Sequence, residues 1–279
     1  MKRAFAFASG LMASLALAAC EQQPAGEAVV RTDLGGGASG ETAEVVEPET
    51  REEPQVASAC TALTFEETAF THCIADPRAH TIRTALAPQG GQPYGSLAAF
   101  AEQVEAGRIA FVVNGGAFGD DRRAIGYYVE DGERLSELDR GDGEGNFYMK
   151  PNGVFFGGPG GWRVLSTEAF FSTVRDRPQF GTQSGPMLVV GGEMHPEFQD
   201  DGASRAVRNA VGVDSQGRAH FVIADDEVSF GKIARLYRDE LGISDALLLA
   251  STTSALWDPA TGRLDNGRAG PIIVVENSE

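Results

Sequence analysis

The stretch AVGVDSQGRAHFVIA, residues 210–224, decides the fold class. Two apolar runs of strand length, 210–213 and 219–224, flank Asp214-Ser215-Gln216-Gly217, whose Asp and Gly suit a reversing turn. A link this short joins strands only in antiparallel fashion, because a parallel return needs a crossover of a dozen or so residues. The same logic repeats along the chain. Residues 125–130 run into Asp131-Gly132 and residues 187–190 into Gly191-Gly192, dipeptides that favour two-residue hairpins. Further strand-like runs fall at 81–86, 109–113, 154–156, 162–165, 246–249 and 271–275.

Three helices interrupt the strands. The first is expected to start at Ser96 as N-cap, to place Leu97, Phe100, Ala101 and Val104 on one face, and to stop at Gly107. The second starts near Thr167 and is expected to bury Phe170, Phe171 and Val174; the third runs from Ser229 to Gly242 through Phe230, Ile233, Ala234, Tyr237 and Leu241. Strands and helices do not alternate as βαβ units. The expected class is therefore α+β, a mostly antiparallel mixed β-sheet core with about three flanking helices.

The first 19 residues read as an export signal: Lys2 and Arg3 precede an apolar stretch over 4–17. Leu17-Ala18-Ala19-Cys20 resembles the lipobox of bacterial lipoproteins, which implies cleavage before Cys20 and lipidation, palmitate included, of its thiol and new N-terminus. Residues 20–58 then form a lipid-anchored tether, since 21–58 lack aromatics and carry nine acids against two bases. Fully extended it would reach about 130 Å. Residues 59–279 are left for one folded domain. The implied location is the bacterial cell envelope, facing the periplasm, and Glu21 after Cys20 leaves the outer membrane the favoured address.

The whole chain carries a formal charge of −17, and residues 59–279 have 31 acids against 19 bases. No basic stripe exists to displace phosphate counterions, so nucleic acid is not an expected partner. Cys60 and Cys73 remain once Cys20 is lipidated, and in an exported protein a disulfide is their default state. The histidines, His72, His80, His195 and His220, lack zinc-site spacing. No cofactor is expected from this pattern, and a divalent cation is left open.

Three polar, glycine-rich clusters abut strand-like runs: NGGAF at 114–118, NFYMKPNG at 146–153 and TQSGP at 182–186. Such ends combine hydrogen-bonding groups with close backbone approach and commonly line ligand clefts. Each also fits a plain turn or a solvated loop. Lys150 and the pair Arg205 and Arg208 are candidate anion contacts in so acidic a chain, with surface ion pairs to Asp200 or Asp201 as the alternative for the arginines. Ser184 lies outside a Gly-x-Ser-x-Gly elbow, so it reads as a binding or structural group.

Taken in order, NGGAF at 114, NFYMKPNGVF from 146, TQSGPMLV from 182, RNAVGVD from 208 and LYRDELG from 236 resemble the phosphodiester glycosidase family over about residues 60–276. The resemblance implies hydrolysis of the bond between a sugar's anomeric carbon and a phosphodiester, and a carbohydrate or glycosyl-phosphate partner. It implies that Arg208, with Arg205 or Lys150, clamps the phosphate, while Asn114, Gly115, Gly116, Asn146, Asn152 and Gln183 hold the sugar, with Ser184 and Asn209 beside them. One departure matters. The family carries Asp-Gly after the late apolar strand, whereas this chain has Leu249-Ala250-Ser251, so the acid position is Ala250. A methyl group neither stabilises positive charge nor moves a proton. Asp225 and Asp120 are the nearest substitutes, and the alternative is a catalytically impaired lipoprotein that binds a glycan or glycosyl phosphate.

Overall fold

In the computed structural model, residues 57–251 and 253–278 are described. The expected export signal, Cys20 and all but the last two residues of the expected tether lie outside them. Among the described residues no helix is long and apolar enough to cross a membrane.

All three expected hairpins form. The strand Asn209–Val213 pairs with Ala219–Ala224, Val213 opposite Ala219, and the Gly217 N–H closes the turn on the Asp214 carbonyl at 3.0 Å. Asp131 and Gly132 both take positive φ (49° and 77°), the mirror-image turn that matches the twist of the strands they join. Met187–Val190 returns through Gly191-Gly192 as Glu193–Met194.

These hairpins belong to two of three larger antiparallel sheets. One has seven strands in the order Cys60–Phe65, Thr68–Ala75, Ala219–Ala224, Asn209–Val213, Ala246–Ala250, Met187–Val190, Glu193–Met194. A second has five: Arg263–Leu264, Leu256–Asp258, Ile109–Asn114, Ile272–Asn277, His80–Ala85. The third also has five: Glu133–Ser136, Tyr128–Glu130, Phe180–Ser184, Gly153–Gly158, Gly161–Ser166. A short pair, Arg205–Ala206 with Val228–Ser229, stands apart.

Strand alternation explains the layers. Phe221 and Ile223 from the first sheet, Phe111, Ile273 and Val275 from the second, and Phe155 and Phe180 from the third meet in one shared core. Phe221 sits at its centre, its ring 5.3 Å from Phe111 and 5.7 Å from Phe155. Burying each such side chain contributes roughly 1.5–3 kcal/mol. The alternate residues face outward, and a helix covers each outer face. Helix α1 (Leu97–Ala101) packs Leu97 and Phe100 on Val112, Ile272 and Val274. Helix α2 (Thr167–Thr173) packs Phe170 on Val129, Val154 and Phe156. Helix α3 (Phe230–Arg235), continued as a π turn over Leu236–Glu240, packs Ile233 and Ala234 on Leu188, Val222 and Leu248. The architecture is α+β.

The structure departs from the sequence reading in several places. Helix α1 is one short turn that ends at Ala101, and Ala106–Arg108 follows as a separate 3₁₀ turn. The Ser96 hydroxyl caps α1 as expected, accepting from the Ala99 N–H at 3.2 Å, and α2 starts at Thr167 as expected, capped by Ser166. Phe171, expected in the core, is 54% exposed because only Phe170 lies on the inward side of so short a helix. The strand expected over 125–130 starts at Tyr128, since Gly126 takes φ 76°. Among the strands that went unread are Cys60–Phe65, Thr68–Ala75, Phe180–Ser184 and Leu256–Asp258. Cys60 and Cys73 are opposite each other in the first pair and are joined by the expected disulfide.

Candidate functional site

Strand ends from all three sheets meet at one place. Asn114 ends a central strand of the second sheet, Ala250 ends a strand of the first, and Ser184 and Gly153 lie at adjoining ends in the third. Long-range bonds tie them. The Leu249 carbonyl accepts from the Gly116 N–H at 3.2 Å and from the Ser184 hydroxyl at 3.1 Å. The Ala117 N–H donates to the Gln183 carbonyl at 3.3 Å, and the Met187 N–H to the Pro151 carbonyl at 2.8 Å.

Two glycines permit this closeness. A Cβ on Gly116 would lie 2.1 Å from the Thr182 hydroxyl oxygen, and φ there is +109°. A Cβ on Gly185 would lie 2.7 Å from the Phe147 carbonyl and 2.8 Å from Asn152. The clusters at 114–118, 146–153 and 182–186 therefore touch one another only because these positions lack side chains.

Between them opens a cleft of about 400 Å³, walled by residues 116–120, Ile125, 144–148, Ser184, Gly185, 249–251, Thr253 and Arg268. Its size suits a small ligand. Among the described residues, the side chains of Asp120, Glu144, Asn146, Ser251, Thr253 and Arg268 line this cleft with no protein hydrogen-bond or ion-pair partner. Groups in that state can engage a ligand without first breaking a protein contact.

Most of the amides singled out in the sequence are otherwise engaged. Asn114 donates to the Thr253 carbonyl at 2.5 Å and accepts from the Ala255 N–H at 2.8 Å and the Asn209 amide at 3.1 Å. Asn209 also donates to the Asn114 carbonyl at 2.7 Å. Gln183 accepts from the N–H groups of Tyr127 and Asp139 at 2.9 and 3.0 Å, and donates to the Asp139 carbonyl and the Thr167 hydroxyl. Asn152 donates to the Phe147 carbonyl at 2.8 Å. These four side chains are buried, and they shape the cleft by fixing the loops around it. Asn146 is the amide left facing the opening, alongside Gly116 and Ser184.

The expected charged residues disperse. Lys150 pairs with Asp142 at 2.6 Å and Arg205 with Asp201, both at the surface and outside the cleft wall. Asp225 pairs with Arg263 at 3.1 Å and accepts from Thr71, also away from the cleft, whereas Asp120 lies in its wall. Arg208 is 1% exposed. Its guanidinium donates to the carbonyls of Val228, Ser204 and Ser251 and lies 3.6 Å above the Phe230 ring. Among the described residues no carboxylate pairs with it, and burial lowers its pKa to about 10. Arg208 thus holds an uncompensated positive charge against Ser251, a residue of the cleft wall.

Sequence reasoning missed Arg268 and Glu144. Both stand in glycine-flanked stretches, Gly267-Arg268-Ala269-Gly270 before the last strand and Gly143-Glu144-Gly145 before the second cluster, the same signal that marked the other clusters. Ala250 and Ser251 lie in the cleft wall, so the position where the resemblance calls for an acid does face the opening. Among the described residues no group of three or more His, Cys, Asp or Glu side chains is placed to hold a metal ion.

Comparison with known proteins agrees with this geometry. The Escherichia coli (strain K12) protein YigE, itself described as uncharacterized, is 28% identical over 183 residues, 65% of this chain and 71% of that protein. The catalytic domain of zebrafish N-acetylglucosamine-1-phosphodiester alpha-N-acetylglucosaminidase, auto-inhibited by its pro-peptide, shares the fold: TM-score 0.54, 15% identity, 79% of this chain and 82% of that one. A putative exported protein from Burkholderia pseudomallei K96243 does so with TM-score 0.53 and 12% identity over 75% of this chain and 74% of that one. The sequence model of the phosphodiester glycosidases matches residues 107–260, more than half of the 279 residues and every element that builds the cleft except Arg268. This chain belongs to the phosphodiester glycosidase family.

Proposed function

We propose that this chain is an envelope-tethered hydrolase of a glycosyl phosphodiester, a sugar whose anomeric oxygen bears a phosphodiester. The observation that carries the reading is the cleft where the strand ends converge, which holds a free guanidinium, Arg268, together with two free carboxylates, Asp120 and Glu144. Arg268, backed by the buried charge of Arg208, meets the phosphate; Asn146, Ser251 and Thr253 meet sugar hydroxyls. The bond from C1 to oxygen breaks and its electron pair leaves with the phosphate monoester, already a stable anion. Water adds to C1 and gives its proton to Asp120 or Glu144, whose charge also opposes the positive charge developing at C1.

Ala250 favours a second reading, a protein that binds the glycosyl phosphate without turning it over. Its methyl occupies the wall where the family places an acid. A chromogenic glycosyl phosphodiester separates the two. Wild-type turnover that drops by about a hundredfold or more in Asp120→Asn or Glu144→Gln supports the hydrolase. Turnover that appears only with Ala250→Asp, alone or with Ser251→Gly, supports the binding protein and sinks the hydrolase. The tether is tested separately. Cys20→Ser should abolish palmitate labelling, and a wild type that takes up no palmitate refutes lipid anchoring.

A further inference from the structure

A second concavity, of about 710 Å³, lies between the loop after the strand Tyr128–Glu130 and the far end of α2. It is larger than the cleft described above, shares none of its lining residues, and has the opposite electrostatic character to the domain around it. Four arginines line it, Arg134, Arg140, Arg175 and Arg177, against two acids, Glu137 and Asp176. The domain as a whole has 31 acids and 19 bases over residues 59–279. A local surplus of cations in so acidic a body marks a place where anions collect.

The arginines are available. Arg175 has no hydrogen bond or ion pair among the described residues, and Arg177 makes only a long contact of 3.5 Å to the Gly132 carbonyl. Arg134 pairs with Glu137 at 2.9 Å and Arg140 with Glu168 at 2.7 Å, with all four side chains at least 41% exposed. Exposed pairs of this kind contribute about 0–1 kcal/mol and rearrange readily for a stronger anion. Aromatic surface lies among them. Tyr127 and Phe170 form the buried floor, and Phe171 stands 54% exposed at the side with the Arg140 guanidinium 3.9 Å from its ring centre. An exposed phenylalanine beside guanidinium groups supplies a stacking face next to forked donors.

We propose that this groove is a binding site for a short acidic oligosaccharide, one that carries phosphate, sulfate or carboxylate groups on successive sugars. A long polyanion is disfavoured, because beyond the four arginines it meets a negative surface. A flat bilayer is disfavoured too, because Phe171 and the arginines line a hollow rather than a protrusion. The aromatic face stacks on a sugar ring while the guanidinium forks take the anions. The proposal does not rest on hydrolysis at the other cleft.

Titration calorimetry of the full chain with a sulfated hexasaccharide, a neutral hexasaccharide and phosphatidylglycerol vesicles tests it. The sulfated sugar is expected to bind with an affinity that falls as salt rises, and the neutral sugar not to bind. Arg175→Ala with Arg177→Ala should weaken binding at least about tenfold. Phe171→Ala should weaken it about threefold or more with the salt dependence unchanged. All three positions are exposed, and unchanged thermal melts confirm that the variants fold. The proposal is overturned if the double variant binds as wild type does, if the vesicles bind and the sugar does not, or if no binding is seen. It is also overturned if Arg268→Ala, in the other cleft, weakens the sugar to the same degree as the double variant.

Discussion

Asn114→Ala separates a residue that shapes the cleft from one that touches its ligand. The substitution removes an amide whose oxygen accepts from the Ala255 N–H at 2.8 Å and whose nitrogen donates to the Thr253 carbonyl at 2.5 Å. Asn209 keeps its bond to the Asn114 backbone carbonyl at 2.7 Å, so its amide is not orphaned. The Ala255 N–H and the Thr253 carbonyl are. The buried Ala255 N–H left without a partner costs about 1–3 kcal/mol and the part-buried Thr253 carbonyl less, so the variant should lose roughly 2–4 kcal/mol. Against a typical total of about 5–15 kcal/mol, that is a large fraction. Urea unfolding followed through the buried Trp162 and Trp257 measures it, and Tm should fall by roughly 5–15 °C. Asn114→Asp keeps the acceptor for Ala255 but sets a buried carboxylate oxygen against the Thr253 carbonyl, so it should be at least as destabilised as Asn114→Ala. A variant that keeps its stability to within about 1 kcal/mol yet loses ligand affinity would refute the reasoning, because the amide would then be serving the ligand directly.

Gly116→Ala places a Cβ 2.1 Å from the Thr182 hydroxyl oxygen at φ +109°, and should cost at least about 2 kcal/mol. Adding Thr182→Ala should recover only the part due to overlap, which the urea midpoints of the two variants will report. Replacing Cys60 and Cys73 by serine opens a link of sequence separation 13 and should lower stability by about 3 kcal/mol. Reductant should have the same effect on the wild type and none on the variant. The last prediction concerns His72, whose Nε2 lies 3.0 Å from Nδ1 of His220, itself 3.1 Å from Asp214 beside Arg218. Burial, then the charges of His220 and Arg218, lower the His72 pKa from 6.5 to about 4. Because the folded value lies below the unfolded one, the unfolded chain takes up the proton first. Stability is therefore full above pH 6.5, declines between 6.5 and 4, and loses up to about 3 kcal/mol from this group. His72→Gln should flatten that interval in unfolding curves measured against pH, and an unchanged slope would disprove the assignment.

The local chemistry of the chain determined a good deal. Asp131-Gly132, Gly191-Gly192 and the 214–217 turn specified antiparallel hairpins because turn type depends on a few adjacent residues. Ser96 and Ser229 announced their helices because a cap reaches only three residues along the chain. Two cysteines left over in a chain read as exported pointed to the disulfide, and the structure sets Cys60 and Cys73 opposite each other on neighbouring strands. The strands that escaped reading lack that local signal. Phe180–Ser184 carries Thr182, Gln183 and Ser184 in full burial, tolerable only because sheet neighbours and distant loops satisfy them.

The candidate site shows the same division. Polar clusters beside strands were visible in the sequence, and they do converge. Which of their side chains are free was decided by partners far along the chain: Thr253 for Asn114 at a separation of 139, Asn209 at 95, Asp139 for Gln183 at 44. A hydrogen-bond donor spent on a buried carbonyl is closed to a ligand, and no local pattern records that spending. So the sequence by itself determined the antiparallel α+β plan and the polar strand ends. Only the tertiary structure turned Asn114, Asn152, Gln183 and Asn209 into scaffolding, and left Asp120, Glu144, Asn146 and Arg268 facing the cleft, because burial and pairing are settled where distant segments meet.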